Sequence, residues 1–260
     1  MKPLLAALVF APLALVAANS VEGPRCSYLE RANPLPEGVV TGKLEGRVVF
    51  DGELPIPSEL EMPEDKAKGC TKPGVAMDKT DRSLLISKEL GIKNVVVSIA
   101  VADAKIKVPE KPIPLDQVAC TFEPHVILLP VGATVEFLNS DTISHNVRTL
   151  PRKHEPLNKA VGPGLKESQT FDQGADKIEI KCDYHPWMNA WLIVSDTPYS
   201  TVTDADGNFT IPDLPPGEYK LTVWQERLPK PAVEATATVR PDGTSDVVLI
   251  KMAPKKKKRE

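Results

Sequence analysis

The clearest hydropathy pattern in the chain is DKIEIKC at residues 176–182, where Ile178, Ile180 and Cys182 alternate with Lys177, Glu179 and Lys181. Successive side chains of a strand point to opposite faces of its sheet, so a core that takes the isoleucines also takes the sulfur of Cys182. Similar short runs recur. Lys43 to Phe50 predicts a strand closed by the turn Asp51-Gly52, and NVVVSIAV (94–101) predicts a buried one. LDQVACTF (115–122) precedes HVILLPVGATVEFLNSD (125–141), where Val131-Gly132 marks a turn between two strands. After the tight loop DYHPWM, the chain re-enters a strand at AWLIV (190–194). Beyond Asp196 the pattern predicts two hairpin-like strand pairs turning at Asp206-Gly207 and Pro216-Gly217, then strands near 233–239 and 246–251. Residues 54–82 are rich in proline and charge and are expected to loop over a surface, and 150–168 are polar and broken by prolines and glycines. The fold class expected is all-β.

Composition agrees, because the 26 prolines and 15 glycines lie between short runs of Val, Ile, Thr and Phe. A length of 260 residues with 42% hydrophobic content fills one large domain or two small ones. The formal net charge of −3 and the lack of any recognition motif argue against a nucleic-acid partner. Met1 and Lys2 precede a nearly continuous apolar stretch ending in Val16-Ala17-Ala18, the order of a secretory signal with cleavage near Ala18. That stretch is too short, and too interrupted by Pro3 and Pro12, for stable membrane insertion. The expected location is therefore periplasmic, secreted or at the cell surface. Cys26 follows Gly-Pro-Arg, unlike a lipoprotein anchor. Residues 19–40 read as a linker and 253–260 as a basic tail.

Candidate chemistry gathers in Cys182-x-x-His185-x-x-Met188, with His145 lying upstream beside another strand. A thiolate, two imidazoles and a thioether form the donor set of a blue-copper electron-transfer site, whereas zinc and iron sites rarely recruit methionine. The metal predicted is one type 1 copper ion. With Cys182 assigned to metal, Cys26, Cys70 and Cys120 leave room for at most one internal bridge, and Cys70 with Cys120 is the pairing expected in an oxidising compartment. His125 reads as structural, His154 as a solvated surface histidine, and Asp204 with Asp206 as a plain turn without a calcium loop.

From about Leu115 to Asp196 the chain resembles the cupredoxins, of the amicyanin and plastocyanin kind and specifically the short-loop amicyanin type, through VGATVEFLNSDTISHNV and CDYHPWMNAWLIV. The resemblance implies a Greek-key sandwich with His145, Cys182 and His185 as strong copper ligands and Met188 as the weak axial one. It implies that Asn146 braces the ligand loop and that the edge of His185 reaches an apolar surface patch, which Pro186, Trp187 and Tyr184 would help form; the alternative for Trp187 is to pack beneath the loop. It further implies an electron carrier that docks with a redox donor and an acceptor, such as a cytochrome or a dehydrogenase. TVTDADGNFTIPDLPPGEYKLTVW resembles the carboxypeptidase-regulatory and transthyretin-like β-sandwich modules, whose opening strands GKLEGRVVFDGELP and NVVVSIAV resemble. A cupredoxin unit, 113–196, is thus expected as an insertion within a smaller sandwich built from 41–112 and 197–252. The alternative is a cupredoxin region over 41–196 followed by a sandwich over 197–252. No enzyme is expected, since four histidines are too few for a multicopper oxidase and the ligand loop lacks the second cysteine of a binuclear site. A copper-holding or cell-surface binding module is the competing reading.

Overall fold

The computed structural model describes residues 27–71, 77–229 and 234–254. The predicted signal segment, its cut near Ala18, Cys26 and the tail from residue 255 lie outside the described residues. The strands are, in chain order, Gly42–Phe50 (β1), Val96–Ile99 (β2), Ile113–Val118 (β3), Thr121–Glu123 (β4), Val126–Pro130 (β5), Ala133–Asn139 (β6), His145–Leu150 (β7) and Asn158–Val161 (β8). They continue with Lys166–Phe171 (β9), Asp176–Lys181 (β10), Asn189–Ser195 (β11), Ser200–Val202 (β12), Asn208–Leu214 (β13), Gly217–Trp224 (β14), Thr236–Val239 (β15) and Val248–Met252 (β16). Glu64–Ala67 (α1) is a single helical turn. The protein is all-β.

Two sheets, ordered β5-β11-β10-β7-β8 and β4-β3-β6-β9, enclose one core. Alternation decides which residues enter it: Ala133, Val135, Phe137 and Asn139 of β6 are buried in turn, as are Ile178 and Ile180 of β10. Two further sheets, β13-β1-β16 and β12-β2-β14-β15, enclose a second core that includes Leu44, Val48, Val97, Phe209, Leu221 and Ile250. Strand β1 lies between β13, antiparallel, and β16, parallel, while β2 pairs with β12 and β14. Early strands therefore bond to late ones.

All five residues of β5 are buried, because Ile127 and Leu129 enter the first core while Val126 and Leu128 enter a third cluster with Val96 and Ile193. Trp191 and Trp224 pack against that cluster, their rings edge to face with centroids 5.2 Å apart. It joins the two sandwiches. A buried polar clamp reinforces the seam: the Glu226 carboxylate meets His125 Nε2 at 2.5 Å and accepts from Trp191 Nε1 at 2.9 Å. His125 thus serves in structure.

Several local expectations change. The Val131-Gly132 and Asp206-Gly207 turns do not close hairpins: β5 bonds to β11 and β6 to β3, and β12 bonds to β2 while β13 bonds to β1. Neither does the turn at Pro216-Gly217, since β14 joins β2 and β15. A turn signal marks reversal, but strands that switch sheets bury more apolar surface than a flat hairpin. The polar stretch 150–168 contains β8 and the start of β9, whose side chains are largely exposed at sheet edges. His154 is not a surface residue, because its ring is only 4% exposed, Nδ1 bonds Asp176 and Nε2 accepts from the Gln173 N–H. Part of the segment read as a linker is ordered, with Ser27 bridged to Leu128 and Arg31 bridged to Ile106.

Gly91 shows how tightly the early and late parts fit, since a Cβ there would lie 1.9 Å from the carbonyl oxygen of Asp206. Gly91→Ala is expected to cost about 1–3 kcal/mol through forced overpacking. Urea unfolding measures it, and an unchanged midpoint would contradict the contact.

Candidate metal centre

The face-sharing of Ile178, Ile180 and Cys182 carries the thiol of Cys182 to the end of the first core, where the residue is 2% exposed. The chain then turns within Asp183–Met188. The turn is closed by Cys182 N–H donating to Met188 O at 3.2 Å and Met188 N–H to His185 O at 2.9 Å. β10 and β7 are adjacent and antiparallel, so His145, the first residue of β7, arrives beside that loop. His145 is fully buried and His185 is 5% exposed.

Three donor atoms converge. His145 Nδ1 and His185 Nδ1 are 2.9 Å apart, and Cys182 Sγ lies 4.0 and 3.7 Å from them. The point equidistant from all three is about 2.1 Å from each, within the span of ordinary metal–nitrogen and metal–sulfur bonds. Two imidazole nitrogens facing one another at this distance, with a sulfur beside both, fit a single ion. The donor types are those that suit copper. Met188 is buried at the same end, in the same core cluster.

Electrostatics prepare the thiolate. Burial alone would raise the Cys182 pKa, but hydrogen bonds with His145 and His185 and the N–H groups of Asn146 and His185 outweigh it, bringing it to about 6. Asn146 N–H approaches Cys182 Sγ at 3.5 Å, while Asn146 Oδ1 accepts from Asp183 N–H at 2.5 Å and its amide donates to Asn158 and Asp183. Asn146 thus ties β7 to the first residue of the loop. Pro186 is exposed.

Asp141 was not singled out from sequence, although its spacing of four before His145 was visible. Its Oδ2 meets His145 Nε2 at 2.8 Å, and its carboxylate also accepts from the N–H groups of Ala119 and Cys120. Burial pushes the Asp141 carboxyl up, and these bonds, His145 first, more than reverse the effect and hold it below its ordinary value. Burial likewise pushes His145 down, yet its contacts with Asp141 and Cys182 leave it raised. The bond also orients the ring so that Nδ1 faces His185. Asp141→Asn is expected to weaken copper binding about 10–100-fold, measured by competition with a chelator. An unchanged affinity would deny Asp141 that role.

Of the residues expected around the His185 edge, Trp187 follows the other reading and packs beneath the loop. It is 7% exposed, its Nε1 donating to Cys120 O at 3.2 Å and its ring 5.2 Å from that of His185. Tyr184, by contrast, is 47% exposed. Cys70 and Cys120 form a disulfide, and both sulfurs lie within 4.8 Å of a ring nitrogen of His185. Leu60, Met62, Ala67 and Met77 of the 54–82 segment pack against the same core, and Cys70 brings that segment beside His185, so it does not run free over a surface. The Asp204 carboxylate is spent on Asp206 N–H and on Asn208, which makes a turn.

The C-terminal strands carry the match to a known family. Residues 185–253 match the carboxypeptidase regulatory-like domain. The matched stretch begins at His185 in the ligand loop and includes β11, which belongs to the first sandwich. No curated protein matches the chain. Among solved structures, a copper-containing nitrite reductase from Thermus scotoductus SA-01 is 26% identical over 37% of this chain, with TM-score 0.31. The match covers 25% of that reductase. A purple cupredoxin from Nitrosopumilus maritimus is 21% identical over 32% of this chain and 98% of its own, with TM-score 0.28. A reduced amicyanin variant is 20% identical over 38% of this chain and 98% of its own, with TM-score 0.31. Among the described residues, no helix is long and apolar enough to cross a membrane.

Proposed function

We propose that this protein is an exported type 1 copper protein that carries single electrons between redox partners. The observation that supports this most is the triangle of His145 Nδ1, His185 Nδ1 and Cys182 Sγ, buried and sized for one ion. When bound, copper supplies a one-electron Cu(II)/Cu(I) couple. The chain's part is to keep the donors still: Asp141 holds the His145 ring, Asn146 holds the loop, and the backbone of Met188, the residue that would add a weak thioether ligand, closes that loop onto Cys182 and His185. Donors fixed by two strands and a short closed loop move little between oxidation states, which favours fast transfer. Catalysis of a substrate reaction has no support from the histidine count, and the partners that fit are a protein donor and acceptor such as a cytochrome or a dehydrogenase.

The domain reading belongs to the same proposal: residues 113–196 form a cupredoxin unit inserted in a sandwich of 41–112 and 197–252. The pairing of β1 with β13 and β16 supports it. The disulfide supports an oxidising destination.

The test is to load the purified protein with Cu(II) and record its visible spectrum. The expected outcome is an intense blue or violet colour, bleached by ascorbate and restored by ferricyanide over repeated cycles. A colourless Cu(I) protein that does not cycle would favour the storage reading, for which the burial of all three donors is the relevant observation.

A further inference from the structure

The disulfide stands against the metal centre itself. Cys70 Sγ, Cys120 Sγ and a ring nitrogen of His185 all lie within 4.8 Å of one another, and so do Cys120 Sγ, an Asp141 carboxylate oxygen and a ring nitrogen of His145. All four ring and sulfur side chains belong to buried residues. Of the chain's five methionines, Met62, Met77 and Met188 all belong to or pack against this one core. Met62 and Met77 flank Cys70 in the covering segment. A purely structural staple would not need to lie this close to both imidazoles.

We propose that Cys70 and Cys120, before their disulfide closes, form a second, Cu(I)-accepting site through which the metal is loaded into the His145, Cys182 and His185 centre. This rests on the copper reading. Thiolates select Cu(I), whereas a disulfide has lost the anionic sulfurs and is a poor ligand. The site therefore exists only in the dithiol state. In loading, two thiols bind one Cu(I) and release two protons to solvent. As the ion moves to the Cys182 thiolate and the two imidazoles, without change of oxidation state, the freed thiolates recover those protons. In closure, a partner protein's disulfide accepts two electrons and two protons from the thiols by exchange: the Cys70–Cys120 bond forms, and the partner's sulfur–sulfur bond breaks to two thiols. Closure then fixes the 60–70 segment over the ligand end, and copper cannot leave by the route it entered.

The experiment uses the full exported chain with Cys182→Ser, which removes the blue centre, and Cys26→Ser, which removes the other thiol. Cu(I) is titrated anaerobically against a chromogenic chelator, once with Cys70–Cys120 intact and once after reduction. The dithiol form is expected to bind one Cu(I) more tightly by over about 100-fold, beyond what loss of a hydrogen-bonding neighbour produces. X-ray absorption should show two sulfurs on the ion. Adding Cys70→Ser should abolish the difference. Equal affinity in the two forms would overturn the proposal. Should the double variant not fold, the Cys26→Ser protein serves: two Cu(I) per chain are expected when reduced and one when oxidised, and one in both states is the overturning result. Failure of the disulfide-intact wild type to turn blue would refute the electron-carrier reading alone, since the titrations of the Cys182-free protein do not depend on that colour.

Discussion

Replacing Cys182 with serine is expected to remove all of the visible colour of the copper-loaded protein and to lower its copper affinity by more than about 100-fold. The thiolate of Cys182 is the one anionic soft donor among the three converging atoms, and its pKa of about 6 leaves it charged at neutral pH. A serine hydroxyl stays protonated there and is a hard donor, so both the charge and the sulfur-to-copper absorption disappear together. The position is buried, and serine differs from cysteine only in an oxygen for the sulfur, so it fits the same space. Visible spectroscopy and chelator competition give the two readouts. A blue Cys182→Ser protein would sink the assignment of the ligand set. Met188→Leu provides the contrast: if Met188 is the weak ligand proposed above, the variant should stay coloured while its reduction potential shifts, because such a thioether tunes the couple without generating the colour.

Removing both Cys70 and Cys120 as alanines is expected to cost about 4 kcal/mol of folding stability in the chain-entropy model. The bridge spans 50 residues, so the unfolded chain regains a large loop when it is cut. That loss is a large share of the 5–15 kcal/mol available to an ordinary domain. Urea denaturation of the metal-free protein, compared with the oxidised wild type, gives the value. A change below about 1 kcal/mol would mean that strain or residual structure cancels the loop term. The same variant should lose copper to a chelator faster, because the bond that ties Cys70 beside His185 would be gone.

Both expectations join features that the amino-acid order separates widely. The alternation through Ile178, Ile180 and Cys182 was enough to aim the sulfur inward, because strand geometry fixes side-chain direction from neighbour to neighbour. The donor types in Cys182, His185, Met188 and His145 were enough to suggest copper, because softness is a property of the atoms themselves. The all-β class followed from short runs and turn residues for the same local reason.

What sequence by itself did not decide was partnership. Asp206-Gly207 and Val131-Gly132 mark reversals in either arrangement, and only packing made them cross between sheets instead of closing hairpins. The edge strands β8 and β9 carry mostly polar, exposed or half-exposed residues on both faces, so no apolar alternation announced them. The Asp141 contact to His145, the burial of Trp187 and the placing of the Cys70–Cys120 bridge against His185 depend on segments up to 115 residues apart converging. A residue's direction along a strand is a local consequence of backbone geometry, whereas its neighbours across a core are set by how four sheets minimise exposed apolar area together. The chain alone therefore pointed to candidate donors, and the folded structure decided which of their atoms converge and what orients them.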